Sequence, residues 1–302
     1  MLKQSRLFHF ICTLFAGSII MLAAAPLLAL AFQNSLPVEP AAHSVIQPKP
    51  ACDEKPIAVT ILDRTIHVIP ANHLPFYDRL LVKDRRSEGL ATEMPSIELY
   101  YADKVVYLTF DDGPHPEHTL AILDILKQNE IKATFFVVGI QAEKHPDVLR
   151  RIFNEGHAIG NHSYNHVYRD LYQSATAYTE QLQLTDEIIR REIGVRPRIS
   201  RAPGGSAGSF TKAYWDVLKK DGYMEVGWNI SSGDASAASA AQIISNIRRQ
   251  LEQSFLWSHA IILMHDGSGH GETVAALPII IKMLKDRHFE FRVVNAQTPP
   301  AW

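Results

Sequence analysis

The chain has 302 residues, 46% hydrophobic and 21% charged, and 30 Lys and Arg against 32 Asp and Glu leave a formal charge of −2. That balance excludes a disordered chain and gives no basis for nucleic-acid binding, which draws on a strongly basic domain. Two cysteines, Cys12 and Cys52, share no ligand spacing, so a disulfide framework and a cysteine-based metal site are excluded, whereas 14 histidines leave imidazole chemistry open.

Lys3 and Arg6 precede a run from Phe10 to Phe32 in which the only ionisable side chain is the thiol of Cys12. Such a run is long enough to span a hydrocarbon core of about 30 Å. It also ends in Ala29-Leu30-Ala31, a cleavage-like signal. Residues 1–32 therefore read as a signal peptide or an N-terminal membrane anchor. Positive charge before the run places the remainder outside the cytoplasm. Residues 33–56 carry five prolines among small residues and read as a semi-rigid tether. Residues 57–103 form a small extension, with two short β-branched strands expected around Asp63-Arg64.

From Lys104 the chain alternates. Strands are predicted at 105–110, 133–137, 158–160, 198–201, 224–228, 260–264 and 291–294. Helical spacing of apolar residues appears at 119–129, 146–154, 177–193, 211–220, 238–253 and 274–287, with Gly156, Gly194 and Gly222 at expected helix ends. Seven strands separated by helices predict an α/β fold with parallel topology, a distorted (β/α) barrel carrying the N-terminal β extension. Polar residues follow five of the strands directly: Asp111-Asp112, Asn161-His162, Arg201, the stretch after Trp228 and His265-Asp266. In β/α barrels that rim is where active sites form.

Each cluster has a structural reading of its own. Asp111-Asp112-Gly113-Pro114 alone would pass for a turn. His162 and His166, four apart, would share one face of a helical turn and reach one cation. Joined by Asp112 they make a three-ligand set with an open position, the form of a catalytic metal site. Arg201 would otherwise be a structural ion pair. Here its partner is the second carboxylate, Asp111, which a bidentate guanidinium would hold ionised as a base. The glycines of Arg201-Ala202-Pro203-Gly204-Gly205 let backbone N–H groups approach an oxyanion. His265 ends a buried strand and has the chemistry to protonate a leaving group, with Asp234 orienting it.

Thr109 to Pro114, His162-x-x-x-His166, Arg201-x-Pro203-x-Gly205, Trp228 to Asp234 and Ile262 to Asp266 together resemble the five motifs of the polysaccharide deacetylases. These are the NodB-homology domains of carbohydrate esterase family four. The resemblance, nearest to peptidoglycan N-acetylglucosamine deacetylases, covers a catalytic domain at residues 104–297. It implies a divalent metal on Asp112, His162 and His166, zinc first, with Co²⁺, Ni²⁺ or Mn²⁺ as alternatives. It implies Asp111 as general base, Arg201 as its orienter, His265 as general acid tuned by Asp234, and Gly204 and Ile262 at the oxyanion and substrate side.

The fourth motif departs from the family pattern. Ser231 and Ser232 stand where an Asp is usual, Ala235 replaces a tryptophan, and Ile262 replaces a leucine of the fifth motif. The lost tryptophan would open one wall of the groove. The implied activity is removal of N-acetyl groups from an envelope polysaccharide, peptidoglycan first. Exopolysaccharide and chitooligosaccharide are the alternative substrates. A catalytically weakened glycan-binding homologue and a hydrolase of an unrelated amide or ester are the other readings. The implied partners are an N-acetylated glycan and, through the N-terminal segment, a membrane. No protein partner and no nucleic acid is implied.

Overall fold

A computed structural model describes residues 57–66 and 73–301. The signal or anchor at 1–32 and the tether at 33–56 lie outside these residues. In the first described part β1 (Thr60–Leu62) pairs in parallel with β2 (Phe76–Asp78), and α1 (Val82–Ser87) follows. Only one strand falls in the described part of 57–69, not two; its partner comes from further along the chain.

The strand that organises the larger sheet is β3 (Val105–Asp111). After it come α2 (His118–Gln128), β4 (Thr134–Val137), α3 (Gly139–Lys144), α4 (Pro146–Asn154), β5 (Ala158–Asn161), α5 (Tyr168–Leu171) and α6 (Ala175–Ile193). The chain continues through β6 (Arg196–Pro197), β7 (Ile199–Ser200), α7 (Lys212–Asp221), β8 (Met224–Glu225), β9 (Ile230–Ser231), α8 (Ala240–Gln250), β10 (Ala260–His265), α9 (Gly271–Asp286) and β11 (Glu290–Arg292). Gly194 and Gly222 cap α6 and α7 as predicted, and Gly156 lies one residue past the cap of α4. Strand order in the larger sheet is β8-β7-β5-β4-β3-β10-β9, all parallel, with β11 added against the start of β3. The sheet curls into a half-barrel. Among the described residues no ladder joins β8 to β9, so the curl stays open there. The strand predicted at 224–228 is shorter than expected, and β9 was not expected at all.

Alternation along the strands divides the core. Val106, Leu108 and Phe110 of β3, with Phe135, Val137, Ile262 and Met264, pack outward under the helices. Val105, Tyr107, Phe136 and Ile261 point inward with Ile199, Val226 and Val293. The inward parity continues through Thr109 to Asp111 on β3 and through Leu263 to His265 on β10. Apolar filling thus gives way to polar side chains at the C-terminal rim of the curl.

The N-terminal extension is fastened by a buried charge cluster. β2 pairs antiparallel with β6. Asp78 accepts two bonds from Arg85, Nε at 2.8 Å and Nη2 at 2.8 Å, one from Arg196 Nη2 at 3.1 Å and one from Arg198 Nη1 at 2.8 Å. All four side chains are inaccessible to solvent.

Candidate active site

Asp111 faces His265 directly in the register of β3 with β10. Arg201 Nη1 donates to Asp111 Oδ1 at 2.9 Å and to Thr109 Oγ1 at 2.7 Å. Its Nε and Nη2 donate to the carbonyls of Val226 and Gly227, each at 2.9 Å. The expected bidentate pair is therefore a single contact. The guanidinium lies over the Phe136 ring, 4.1 Å from its centre, and its donors reach two segments, β3 and the stretch that follows β8. Burial draws Arg201 below its ordinary value, against the pull of the Asp111 charge.

Asp112 turns away from the strand in left-handed backbone (φ 79°), which sets the two adjacent carboxylates in different directions. The turn is clamped by Asp266, a residue to which sequence reasoning gave no role. Asp266 Oδ1 accepts from Gly113 N at 3.0 Å and Oδ2 from Thr119 Oγ1 at 2.5 Å. A Cβ at position 113 would fall 2.2 Å from Asp266 Oδ2, so only glycine admits this contact. Burial, with the nearby Asp112 and Asp111 charges adding to it, pushes Asp266 up to about 7 despite the Thr119 bond.

The two histidines do not share a helical turn. β5 ends at Asn161, and a loop follows with left-handed backbone at Ser163 (φ 74°) and His166 (φ 57°). Asn161 holds this loop by accepting from Ser163 N at 3.1 Å and donating to Leu182 O at 2.7 Å. Gln181 Oε1 accepts from the N–H groups of Tyr164 and Asn165, each at 3.2 Å. These contacts bring both imidazoles to one place by a route that four-residue spacing does not describe. His162 Nδ1 lies 2.8 Å from the Arg201 carbonyl, an acceptor only, so Nδ1 carries the proton. His162 Nε2 then faces Asp112 Oδ1 at 3.5 Å, and His166 Nε2 lies 3.2 Å from the same oxygen.

Asp112 Oδ1 is buried and accepts no hydrogen bond of ordinary geometry. Burial opposes its charge, but His162 and the neighbouring imidazoles outweigh it and hold the carboxyl below its usual range. A desolvated carboxylate oxygen facing two ring nitrogens fits a divalent cation, and the N/O donor set suits zinc.

His265 Nδ1 is 2.8 Å from Asp234 Oδ1, and its backbone N donates to Oδ2 at 2.7 Å. Ser232 Oγ (2.8 Å) and Thr273 Oγ1 (2.7 Å) complete the ring of donors around Asp234. Ser232, noted in the sequence only as a departure, is a buried brace for that carboxylate. Thr273 was missed because it lies beyond the strand end, in the first turn of α9. His270, also missed, stacks on His265 with centroids 5.0 Å apart. Burial works against the charged form of His265, but the Asp234 bond and the Asp111 and Asp112 charges raise it to about 9.

Ile262 does not reach the groove. Its side chain is fully buried in the outer core and its carbonyl accepts from Thr109 Oγ1 at 2.7 Å. Two-residue periodicity puts Leu263 on the His265 face instead. Gly204 is exposed at the rim in left-handed backbone (φ 73°), beside Tyr168.

A carboxylate held by a buried guanidinium, an imidazole opposite it in the strand register and a three-donor candidate cation site, all at the strand ends of a parallel half-barrel, are groups that a hydrolase of acyl groups would use. Comparisons with known proteins narrow the class. A family profile described as polysaccharide deacetylase matches residues 100–226. A peptidoglycan-N-acetylglucosamine deacetylase of Bacillus cereus is 32% identical over 235 residues, 73% of this chain and 83% of that protein. A chitooligosaccharide deacetylase of Bradyrhizobium is 33% identical over 197 residues, 61% of this chain and 86% of that protein. The structure of a Streptococcus mutans CE4 esterase superposes with a TM-score of 0.61 and 31% identity, covering 70% of this chain and 95% of that one. This chain belongs to the polysaccharide deacetylases, carbohydrate esterase family four, and is a hydrolytic deacetylase.

Proposed function

We propose that the chain hydrolyses the N-acetyl groups of N-acetylglucosamine residues in a cell-envelope polysaccharide, peptidoglycan first, and releases acetate. The observation that carries this reading is the register of Asp111 opposite His265 beside the Asp112, His162 and His166 cluster. A divalent cation held by Asp112, His162 and His166, zinc first, would supply Lewis-acid polarisation of the acetamide carbonyl and of the attacking water. Asp111, positioned by Arg201, takes a proton from that water as it attacks the carbonyl carbon. The carbonyl oxygen gains negative charge, and the Gly204 N–H is the candidate donor to it. His265, oriented by Asp234, gives its proton to the amide nitrogen. The C–N bond then breaks, leaving a free sugar amine and acetate. An amide needs that proton because its nitrogen is a poor leaving group as an anion.

Peptidoglycan is favoured by the Bacillus cereus relative and by the apolar N-terminal run with its proline-rich tether, which suits work just outside a membrane. The same reading places residues 57–302 outside the cytoplasm. A chitooligosaccharide is the second substrate, on the strength of the Bradyrhizobium relative. The test is acetate release from de-O-acetylated peptidoglycan and from chitotetraose by the full chain, chelated and then given zinc. Zinc-restored release that Asp111→Asn lacks supports the proposal, and the faster of the two ranks the substrates. No release from either by folded, zinc-loaded protein overturns it.

A further inference from the structure

Directly after metal-site candidate His166, the chain exposes two large apolar side chains, Val167 and Tyr168. Tyr168 is 51% exposed although it is the first residue of α5 and sits against two functional positions. Its ring and that of His166 stand with centroids 5.6 Å apart and planes at 88°, so the two do not stack face to face. Behind it Tyr172 packs at 5.8 Å, and the Tyr172 hydroxyl donates to the Pro203 carbonyl at 2.5 Å. The ring is thus backed by an aromatic support that is itself tied to the Arg201–Gly205 segment.

Gly204 explains why the ring can stand where it does. A Cβ there would lie 2.8 Å from the Tyr168 hydroxyl oxygen and 2.9 Å from its Cε1. Any larger residue at 204 would push the ring away, and the backbone there (φ 73°) also favours glycine. On the His265 side, the residue after Asp234 is Ala235, an exposed methyl that offers no flat surface. A flat apolar face is therefore presented from the His166 side, next to the candidate oxyanion donor.

We propose that Tyr168 is a specificity-determining residue, its ring forming the platform on which a sugar of the N-acetylated glycan lies beside the reacting acetamide. The proposal rests on the deacetylase reading above. A pyranose presents an apolar C–H face, and covering it with a supported aromatic ring removes area from water with little loss of side-chain entropy. Binding of the chain, more than the chemical step, depends on such a ring.

The experiment uses the full chain with zinc and compares wild type, Tyr168→Ala and Tyr168→Phe on chitotetraose and on 4-nitrophenyl acetate, a substrate with no sugar. The ratio of kcat/KM for chitotetraose to that for the ester is expected to fall about tenfold in Tyr168→Ala, through KM, and to recover in Tyr168→Phe. Because it is a ratio, loss of folded protein does not move it. An unchanged ratio, or a Phe variant as poor as the Ala variant, overturns the platform. Chitotetraose binding to Asp111→Asn, with and without Tyr168→Ala, reads the same platform without turnover. About tenfold weaker binding in the double variant supports it; equal binding, or none in Asp111→Asn alone, overturns it. Absence of turnover by the wild type would instead count against the deacetylase reading.

Discussion

His265 illustrates how one side chain is set by its neighbours. It is raised to about 9 even though burial disfavours its charge, because Asp234 accepts from it and is in turn held by Ser232 and Thr273. A general acid works while protonated, so its contribution is present below its pKa and lost as pH rises through it. The alkaline limb of the kcat/KM profile on an acetamide is therefore expected above the ordinary imidazole range of about 6.5. Asp234→Asn removes the hydrogen-bonded charge among the three that raise it, and the limb is expected to move to lower pH; an unmoved limb would dissociate Asp234 from the acid. His265→Ala is expected to cost roughly 10²–10⁴-fold on the amide. The cost on 4-nitrophenyl acetate should be far smaller, since that leaving group departs as a stable anion. Equal losses on both substrates would assign His265 a role other than proton donor.

At the scale of elements, Asp78 joins β2 and α1 to the segment that carries β6 and β7 through three buried guanidinium groups. Burial opposes its charge, while Arg85, Arg196 and Arg198 hold it below the usual carboxylate range. Asp78→Asn leaves those cations with their shared counter-charge removed, a change worth roughly 3–5 kcal/mol. At about 2–4 °C per kcal/mol for a domain of this size, the melting temperature is expected to fall by about 10 °C. A shift within 2 °C would show that the cluster contributes no net stability. Nothing in the local sequence around Asp78 announces these partners, because Arg196 and Arg198 lie more than a hundred positions away. The same cause explains what else was hidden. The two-residue β9 is too short for any alternation to register. The His162–His166 loop takes its shape from Asn161 and Gln181, so spacing named two side chains that do meet at one place but the wrong conformation for bringing them there. The long strands and helices were legible because their periodicity repeats over several turns or pleats, and in β10 that periodicity also favours Leu263 over Ile262 at the groove.

For the whole molecule, the candidate site is a property of the assembled half-barrel and of no single segment. Asp111 and Asp112 come from the end of β3, His162 and His166 from the loop after β5, Arg201 from the end of β7, Asp234 from the turn after β9 and His265 from β10. In an extended chain these groups are far apart, so a cation that binds the three-donor cluster binds the folded state and not the unfolded one. Linkage then requires that such a cation stabilise the entire fold, by about 2.7 kcal/mol at a hundredfold excess over its dissociation constant. For a domain of this length that corresponds to a rise of roughly 5–10 °C in the melting temperature of chelated protein titrated with zinc. Asp112→Asn and His166→Ala each alter one candidate ligand outside the strands, and both are expected to lose most of that rise. The glycan platform at Tyr168 lies beside the cluster without contributing a ligand, so Tyr168→Ala is expected to keep the zinc-dependent rise. A rise as large in Asp112→Asn and His166→Ala as in the wild type would place the bound zinc elsewhere on the protein.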